Sequence, residues 1–369
     1  MAQTGWVQRL GGSFREYTAG FRLRDAVREL ERDASQTYRT LTRDHADTPE
    51  PKGRLARAWH RGKIVFLGLS AKLTPARRIL FLVCLVAALL GLVGSPQPGA
   101  IVQMPGLLLV SVLGLVFLLA LELADRVLVR DELEVARQLQ RELLPRDAPD
   151  LPGWEFAFSY RTANTIGGDY YDFLPVSDGR VALVIGDASG HGIAAGLLMA
   201  IANSTLKLAL DLDPRPAAVA NLVNRALVRT GSPRDFMTLF VGLLDPDSGH
   251  IEYVCAGHPF PLVLRSDGVL KELGTGSLPL GMWPDVRLDV GEVTITRGDV
   301  LVLYSDGIPE TIDATEESFG FERLQRAVSL GGTAQAVHER VVSSVEAFRN
   351  GHPLIDDRSL LVVARLAAP

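Results

Sequence analysis

Acidic residues stand where apolar runs stop. Asp169 and Asp187 each follow a glycine and lie eighteen positions apart; Asp306 sits in Ser305-Asp306-Gly307; Asp356 and Asp357 immediately precede the run at 359–363. Carboxylate oxygens are hard ligands suited to Mg²⁺ or Mn²⁺. Clustered at neutral pH they repel one another, and bound cations relieve that repulsion. Singly, each aspartate reads as well as a turn residue capping local backbone. Together, with no competing Cys/His ligand set, Asp169, Asp187, Asp306 and Asp356 favour a two-metal oxygen site.

The elements that must position these groups are short and β-rich. Between Asp169 and Asp187 lie Phe-Leu-Pro, a Ser-Asp-Gly turn and the apolar run 181–185. A strand ending in Gly-Asp, a turn, and a second strand ending in Gly-Asp form a hairpin-like unit that carries both carboxylates to one sheet end. Glycine before each aspartate lets backbone approach whatever the carboxylate holds. Further strands are predicted over 156–160, 238–244, 250–255, 261–264, 293–295, 300–304 and 359–366. Helices are predicted over 193–211, 216–230, 321–330 and 335–348. Strand runs with helices inserted in blocks argue for an α+β fold with mainly antiparallel sheet.

Upstream the chain has a different character. Residues 1–50 read as a polar helix without assignable chemistry, closed by Thr48-Pro-Glu-Pro51. Residues 52–78 hold eight Lys or Arg and no acid, and residues 79–121 hold no charge over 43 positions. Two helices of roughly 20 residues would each cross a hydrocarbon core of about 30 Å, divided at Gly94-Ser-Pro-Gln-Pro-Gly99. The first span is short, so Arg77 and Arg78 are expected to snorkel at the interface. Basic residues before the first span, and Arg126 and Arg130 after the second, place both termini in the cytoplasm. They also suit anionic head groups. Between 122 and 144, Val129, Leu133, Ala136, Gln140 and Leu143 make a 4-3-4-3 seam with one polar interruption. That seam suits a short parallel coiled coil, and equally packing on the downstream domain. The segments are therefore 1–77 cytoplasmic, 78–121 a membrane hairpin, 122–146 a helical linker and 147–369 the β-rich domain. A net charge of −5 gives no reason to expect nucleic acid, and Cys84 and Cys255 form no disulfide framework, which points to a reducing compartment.

The blocks Gly167-Gly-Asp169-Tyr-Tyr-Asp172, Gly186-Asp-Ala-Ser-Gly-His-Gly192, Phe236-Met-Thr238, Ala256-Gly-His-Pro259, Leu278-Pro-Leu-Gly281, Tyr304-Ser-Asp-Gly307 and Asp356-Asp-Arg-Ser359 occur in order. Over residues 147–366 this resembles the SpoIIE/RsbU branch of metal-dependent protein phosphatases, relatives of protein phosphatase 2C. The resemblance implies an α-β-β-α sandwich of two mainly antiparallel sheets and two Mn²⁺ or Mg²⁺ ions at one edge. By the same resemblance Asp187 bridges both ions, the Ala188 carbonyl is a further ligand, Asp169 lies at the site, and Asp306 with Asp356 completes the set. Asp357 is an alternative to Asp356, since the register is open by one residue. Arg161 is a phosphate-binding guess. The implied activity is hydrolysis of phosphoserine or phosphothreonine by a water activated between the ions. The implied substrate is a phosphorylated anti-sigma-factor antagonist of the STAS type. A homodimer formed through 122–144 would control the enzyme.

Other readings carry their own tests. A catalytically weak signalling or dimerisation module would lack ligand aspartates, and none is lacking. A phosphatase of small phosphate esters would hydrolyse a free ester in preference to a phosphopeptide. Ser189, His191 and His258 suggest a Ser-His-Asp hydrolase only if they meet within hydrogen-bond reach. Gly190-His191-Gly192 opens a helix, where His191 serves as a turn or cap residue, and His258 in Gly-His-Pro reads as a structural turn histidine.

Overall fold

The computed structural model describes residues 53–93, 103–231, 234–274 and 276–367. The polar helix expected over 1–50 and the divider at 94–99 lie outside the described residues. The chain divides into two compact units, Met1–Val127 and Leu128–Pro369.

In the first unit, α1 (Arg54–Lys72) and α2 (Pro75–Val93) precede α3 (Gln103–Leu143), a single helix that runs on into the second unit. The expected boundary between membrane hairpin and linker at 121 is therefore not a break in the helix. Ser111 on α3 donates to the Cys84 carbonyl of α2 at 2.7 Å. A side chain at Gly114 would meet Cys84 Sγ, and one at Gly91 would meet Leu108. Small residues at the contact let two apolar helices approach closely when water gives no drive to associate. The outward residues Leu82, Val86, Leu89, Val112, Val116 and Leu119 are exposed. Arg77 pairs with Asp125 at 2.5 Å and Glu122 at 3.3 Å. Among the described residues, three helices are long and apolar enough to cross a membrane: Pro75–Leu92, Gly106–Leu143 and Ile193–Leu212. The last buries Ala195, Leu198, Met199, Ala202 and Leu206 within the second unit.

The second unit is two five-stranded antiparallel sheets. One has the order β1-β10-β9-β6-β7, the other β2-β3-β4-β5-β8. The strands are β1 (Trp154–Arg161), β2 (Asp169–Pro175), β3 (Val181–Ala188), β4 (Met237–Leu244), β5 (His250–Ala256), β6 (Leu262–Leu264), β7 (Leu270–Glu272), β8 (Val290–Thr294), β9 (Val300–Tyr304) and β10 (Arg358–Arg365). Helices α4 (Ile193–Leu212) and α5 (Pro216–Thr230) cover the second sheet; α6 (Gly320–Ser329) and α7 (Ala334–Arg349) cover the first. This is the expected α-β-β-α sandwich. Covering both faces explains why β3, β9 and β10 read as unbroken apolar runs rather than alternating ones: nearly every residue in them is buried. Burial of both faces, not strand direction, sets that pattern here.

Two local expectations change. Asp169 begins β2 rather than ending a strand, so the hairpin runs from Asp169 to Pro175 and back to Asp187. The glycines also act differently from one another. A Cβ at Gly168 would stand 2.7 Å from the Ala188 carbonyl oxygen and 3.1 Å from Asp187 Oδ1, so that glycine does serve the carboxylate. One at Gly186 would stand 2.5 Å from the Thr238 carbonyl oxygen, so that glycine serves strand packing.

Candidate functional site

The hairpin register places Asp169 directly opposite Asp187. Across an antiparallel pair such side chains share a face at about 5 Å, and like charges there destabilise. The other sheet supplies the rest. β9 and β10 are neighbours, with Leu360 opposite Tyr304. The turn after β9 therefore carries Asp306 to the place where Asp356 and Asp357 lead into β10. Two contacts tie the sheets together at this edge. Ser305 Oγ donates to Asp169 Oδ2 at 2.7 Å, and Asp357 accepts from the amides of Gly168 (2.6 Å) and Ala163 (2.8 Å).

Charge dominates the resulting pocket edge. Burial raises the Asp169 carboxyl well above its ordinary range, opposed by the Ser305 hydroxyl and reinforced by Asp357 and Asp306. Asp187 is likewise raised, first by burial and then by Asp169, Asp306, Asp356 and Asp357 in turn. Asp306 is pushed up to about 6 by burial, with Glu310 and Asp356 adding repulsion. Its Oδ1 is buried without any hydrogen-bond partner. An unpartnered buried carboxylate oxygen facing several like charges is the situation a divalent cation relieves. The donor set is all oxygen, which fits Mg²⁺ or Mn²⁺. Among the described residues no three ligand groups are gathered tightly enough to hold one ion; the fit rests on donor chemistry and charge.

The one-residue register at 356 and 357 gains a physical argument. Asp357 is buried with both oxygens engaged by backbone amides, whereas Asp356 is exposed and accepts only from its neighbour's amide. Asp172 turns to other work, accepting from Tyr170 at 2.8 Å and pairing with Lys207 at 3.7 Å. Arg161 pairs with Glu346 at 3.2 Å.

Thr238 and His258 support the site together with Ser305 and Ser359, and of these the two serines were not singled out from sequence. The Asp187 amide donates to Thr238 Oγ1 at 3.3 Å, and that hydroxyl lies 2.9 Å from His258 Nδ1. Ser305 Oγ also accepts from the Ser359 amide at 2.9 Å. All lie inside the sequence blocks, Ser305 and Ser359 in two that contain aspartates, and that was the available signal. Thr238, His258, Tyr304, Phe321 and Asp306 line an open cleft of about 400 Å³. Burial depresses His258 to about 3, so its ring is neutral at physiological pH and agrees with the structural reading. Ser189 donates to the Arg234 carbonyl and accepts from the Phe236 amide; no bond joins it to a histidine, and the triad reading falls.

Raised carboxylates give a stability prediction with a definite sign. In the unfolded chain these groups ionise near their ordinary pKa, about 4, while in the folded metal-free protein they hold protons to higher pH. The folded state is therefore favoured most below that value and loses stability as pH rises through about 6 for Asp306, and further for Asp169 and Asp187. Melting curves with chelator should show Tm falling across this range, and added Mn²⁺ should raise Tm more at pH 8 than at pH 5. A Tm independent of pH and metal would show the carboxylates to be apart.

A family profile described as stage II sporulation protein E (SpoIIE) matches residues 177–366. Protein IcfG of Synechocystis sp. is 27% identical over 276 residues, covering 67% of this chain and 43% of IcfG, so the match spans less than half of that relative. Phosphoserine phosphatase RsbU of Bacillus subtilis is 28% identical over 246 residues, covering 64% of this chain and 71% of RsbU. In fold, the SiaA-PP2C domain of Pseudomonas aeruginosa superposes with a TM-score of 0.57 at 21% identity, over 65% of this chain and 98% of that domain. By its profile the chain belongs to the SpoIIE family, and its paired sheets share the fold of the SiaA-PP2C domain.

Proposed function

We propose that this protein is a membrane-anchored, Mn²⁺- or Mg²⁺-dependent phosphatase of phosphoserine or phosphothreonine in a protein, and that its substrate is a phosphorylated anti-sigma-factor antagonist of the STAS type. The observation that carries the reading is the convergence of Asp169, Asp187, Asp306 and Asp356 from both sheets, with a buried, partnerless Asp306 oxygen among them. A relative named phosphoserine phosphatase supports the reaction class.

In this reading Asp187, Asp306 and Asp356 hold the ions with the Ala188 carbonyl, and Asp169 stands beside them. Asp357 is assigned to the loop instead, clamping the Gly168 and Ala163 amides. When bound, the ions would ease proton loss from an attacking water and offset charge on the phosphoryl oxygens. The chain's own part is positional. Ser305 orients Asp169 and bridges to the Ser359 amide, Thr238 supports the Asp187 backbone, and the cleft beside Asp306 admits the phosphorylated segment. No protein nucleophile is required, and both cysteines are buried. The paired apolar helices α2 and α3 supply the membrane anchor, with two spans and both termini cytoplasmic.

The direct test is phosphate release from a panel of phosphorylated STAS-domain proteins with Mn²⁺, beside a phosphopeptide and p-nitrophenyl phosphate. Faster release from one STAS protein than from either small substrate is expected. Preference for the free ester would move the protein to the small-ester class, and no release from any substrate would make it a catalytically weak signalling module.

A further inference from the structure

A second cavity lies among β1, β10 and α7 and plays no part in the chemistry above. It has a volume of about 260 Å³, and its walls include Ile308, Val341, Val342, Val345 and Leu360. Its polar lining is basic: Arg161 at the end of β1 and Arg358 at the start of β10. Behind them, three guanidiniums share one acid. Glu346 receives Arg358 at 2.5 Å and Arg161 at 3.2 Å on one oxygen, and Arg349 at 2.6 Å on the other. The group carries two positive charges in excess. The crowding is felt at Arg358, which is lowered first by burial and further by Arg349 and Arg161.

Arg358 is also incompletely satisfied. The residue is 7% exposed, and its Nε is buried with no partner. A guanidinium offers five donors in a planar fork, and one left unmade in a buried place destabilises the free protein. The other polar wall leaves a second atom unmade: His338 Nε2 meets Ser159 Oγ at 2.8 Å, while its Nδ1 is buried without a partner.

We propose that this cavity binds a small monocarboxylate with an aliphatic tail. The carboxylate would meet Arg161 and Arg358, and the tail would lie along the valines of α7. Planar and singly charged, a carboxylate matches the weakly hydrated guanidinium fork. A phosphate dianion would lose far more hydration against the aliphatic walls. The cavity is smaller than the roughly 300–1,000 Å³ that drug-sized ligands occupy, so the ligand is small. The site is independent of the phosphatase reading, because none of the candidate metal ligands lines it.

The probe is hexanoate, titrated by calorimetry into the full chain in lipid nanodiscs, with empty nanodiscs as reference. Saturable binding is expected, with hexanol and acetate each binding at least tenfold more weakly. Arg161→Gln, at a half-exposed side chain, should weaken hexanoate about tenfold, the scale of one charge-assisted hydrogen bond. Val342→Phe, which fills the cavity from a partly exposed position, should abolish binding, and circular dichroism reports whether each variant keeps its fold. Equal binding of hexanol and hexanoate, undiminished binding to a folded Val342→Phe protein, or no saturable heat with the parent would each overturn the proposal.

Discussion

Asp187→Ala should lower Mn²⁺-dependent phosphate release by at least about 10²–10³-fold, the scale of removing one preorganised electrostatic group from an active site, and should make the metal-free protein more stable than the parent. The two effects have opposite signs for one reason. Asp187 lies opposite Asp169 in the hairpin register and feels Asp306, Asp356 and Asp357 as well. Without cations its ionisation is opposed by burial and by four like charges, so deleting it relieves the fold. With cations it is the residue on which the other carboxylates converge, so deleting it dismantles the site. A residue important only for packing would lose activity and stability together. Asp306→Ala should follow the same pattern, because its Oδ1 has no protein partner to lose. Phosphate release and chelator-treated melting curves on the same preparations decide the matter. A stabilised, fully active Asp187→Ala protein would remove the aspartates from the chemistry.

Much of this geometry was legible in the sequence because strand ends announce themselves. An apolar run that stops at Gly-Asp or Ser-Asp-Gly marks both an element boundary and the residue carried there, so Asp187, Asp306 and the 356–357 pair could be placed before any sheet order was known. The pairing of the sheets could not be read from periodicity, since strands buried on both faces show no alternation; the order of the sequence blocks supplied it. The strand β7, Leu270–Glu272, escaped notice because it is three residues long and partly exposed. The roles of Asp356 and Asp357 differ by which backbone amides lie nearby. Those amides belong to Ala163 and Gly168, nearly two hundred positions away, and no local pattern encodes that. Ser305 and Ser359 were visible only as members of their blocks; their joint contact across β9 and β10 belongs to the tertiary structure.

The seam on α3 was the most ambiguous feature, and its polar interruption resolves it at one end. Of the seam residues Val129 is exposed, Leu133 and Ala136 are half-buried, Gln140 is 6% exposed and Leu143 packs against the sandwich core. Gln140 forms an amide-to-amide pair with Gly167: Nε2 donates to the Gly167 carbonyl at 2.6 Å, and the Gly167 amide donates to Oε1 at 3.1 Å. Glycine 167 precedes Gly168, whose own amide is held by Asp357, and then Asp169. The end of the linker helix therefore grips the loop that sets the first carboxylate, as the docking alternative expects at Gln140. Gln140→Leu keeps length and apolar bulk but leaves a buried amide and carbonyl unmade, each costing on the order of 1–3 kcal/mol. A total loss of about 2–6 kcal/mol is expected, read as a fall in Tm of on the order of 5–20 °C for a domain of this size. Loosening the loop should also raise the Mn²⁺ concentration needed for half-maximal phosphate release, with most of the rate recovered at saturating metal. Gln140→Glu retains the acceptor for the Gly167 amide, loses the donor to its carbonyl and adds an anion, so it should fall between parent and Leu in stability. If Gln140→Leu melts with the parent and needs no more Mn²⁺, the grip on Gly167 does not govern the site, and the seam is free to pair with a second helix.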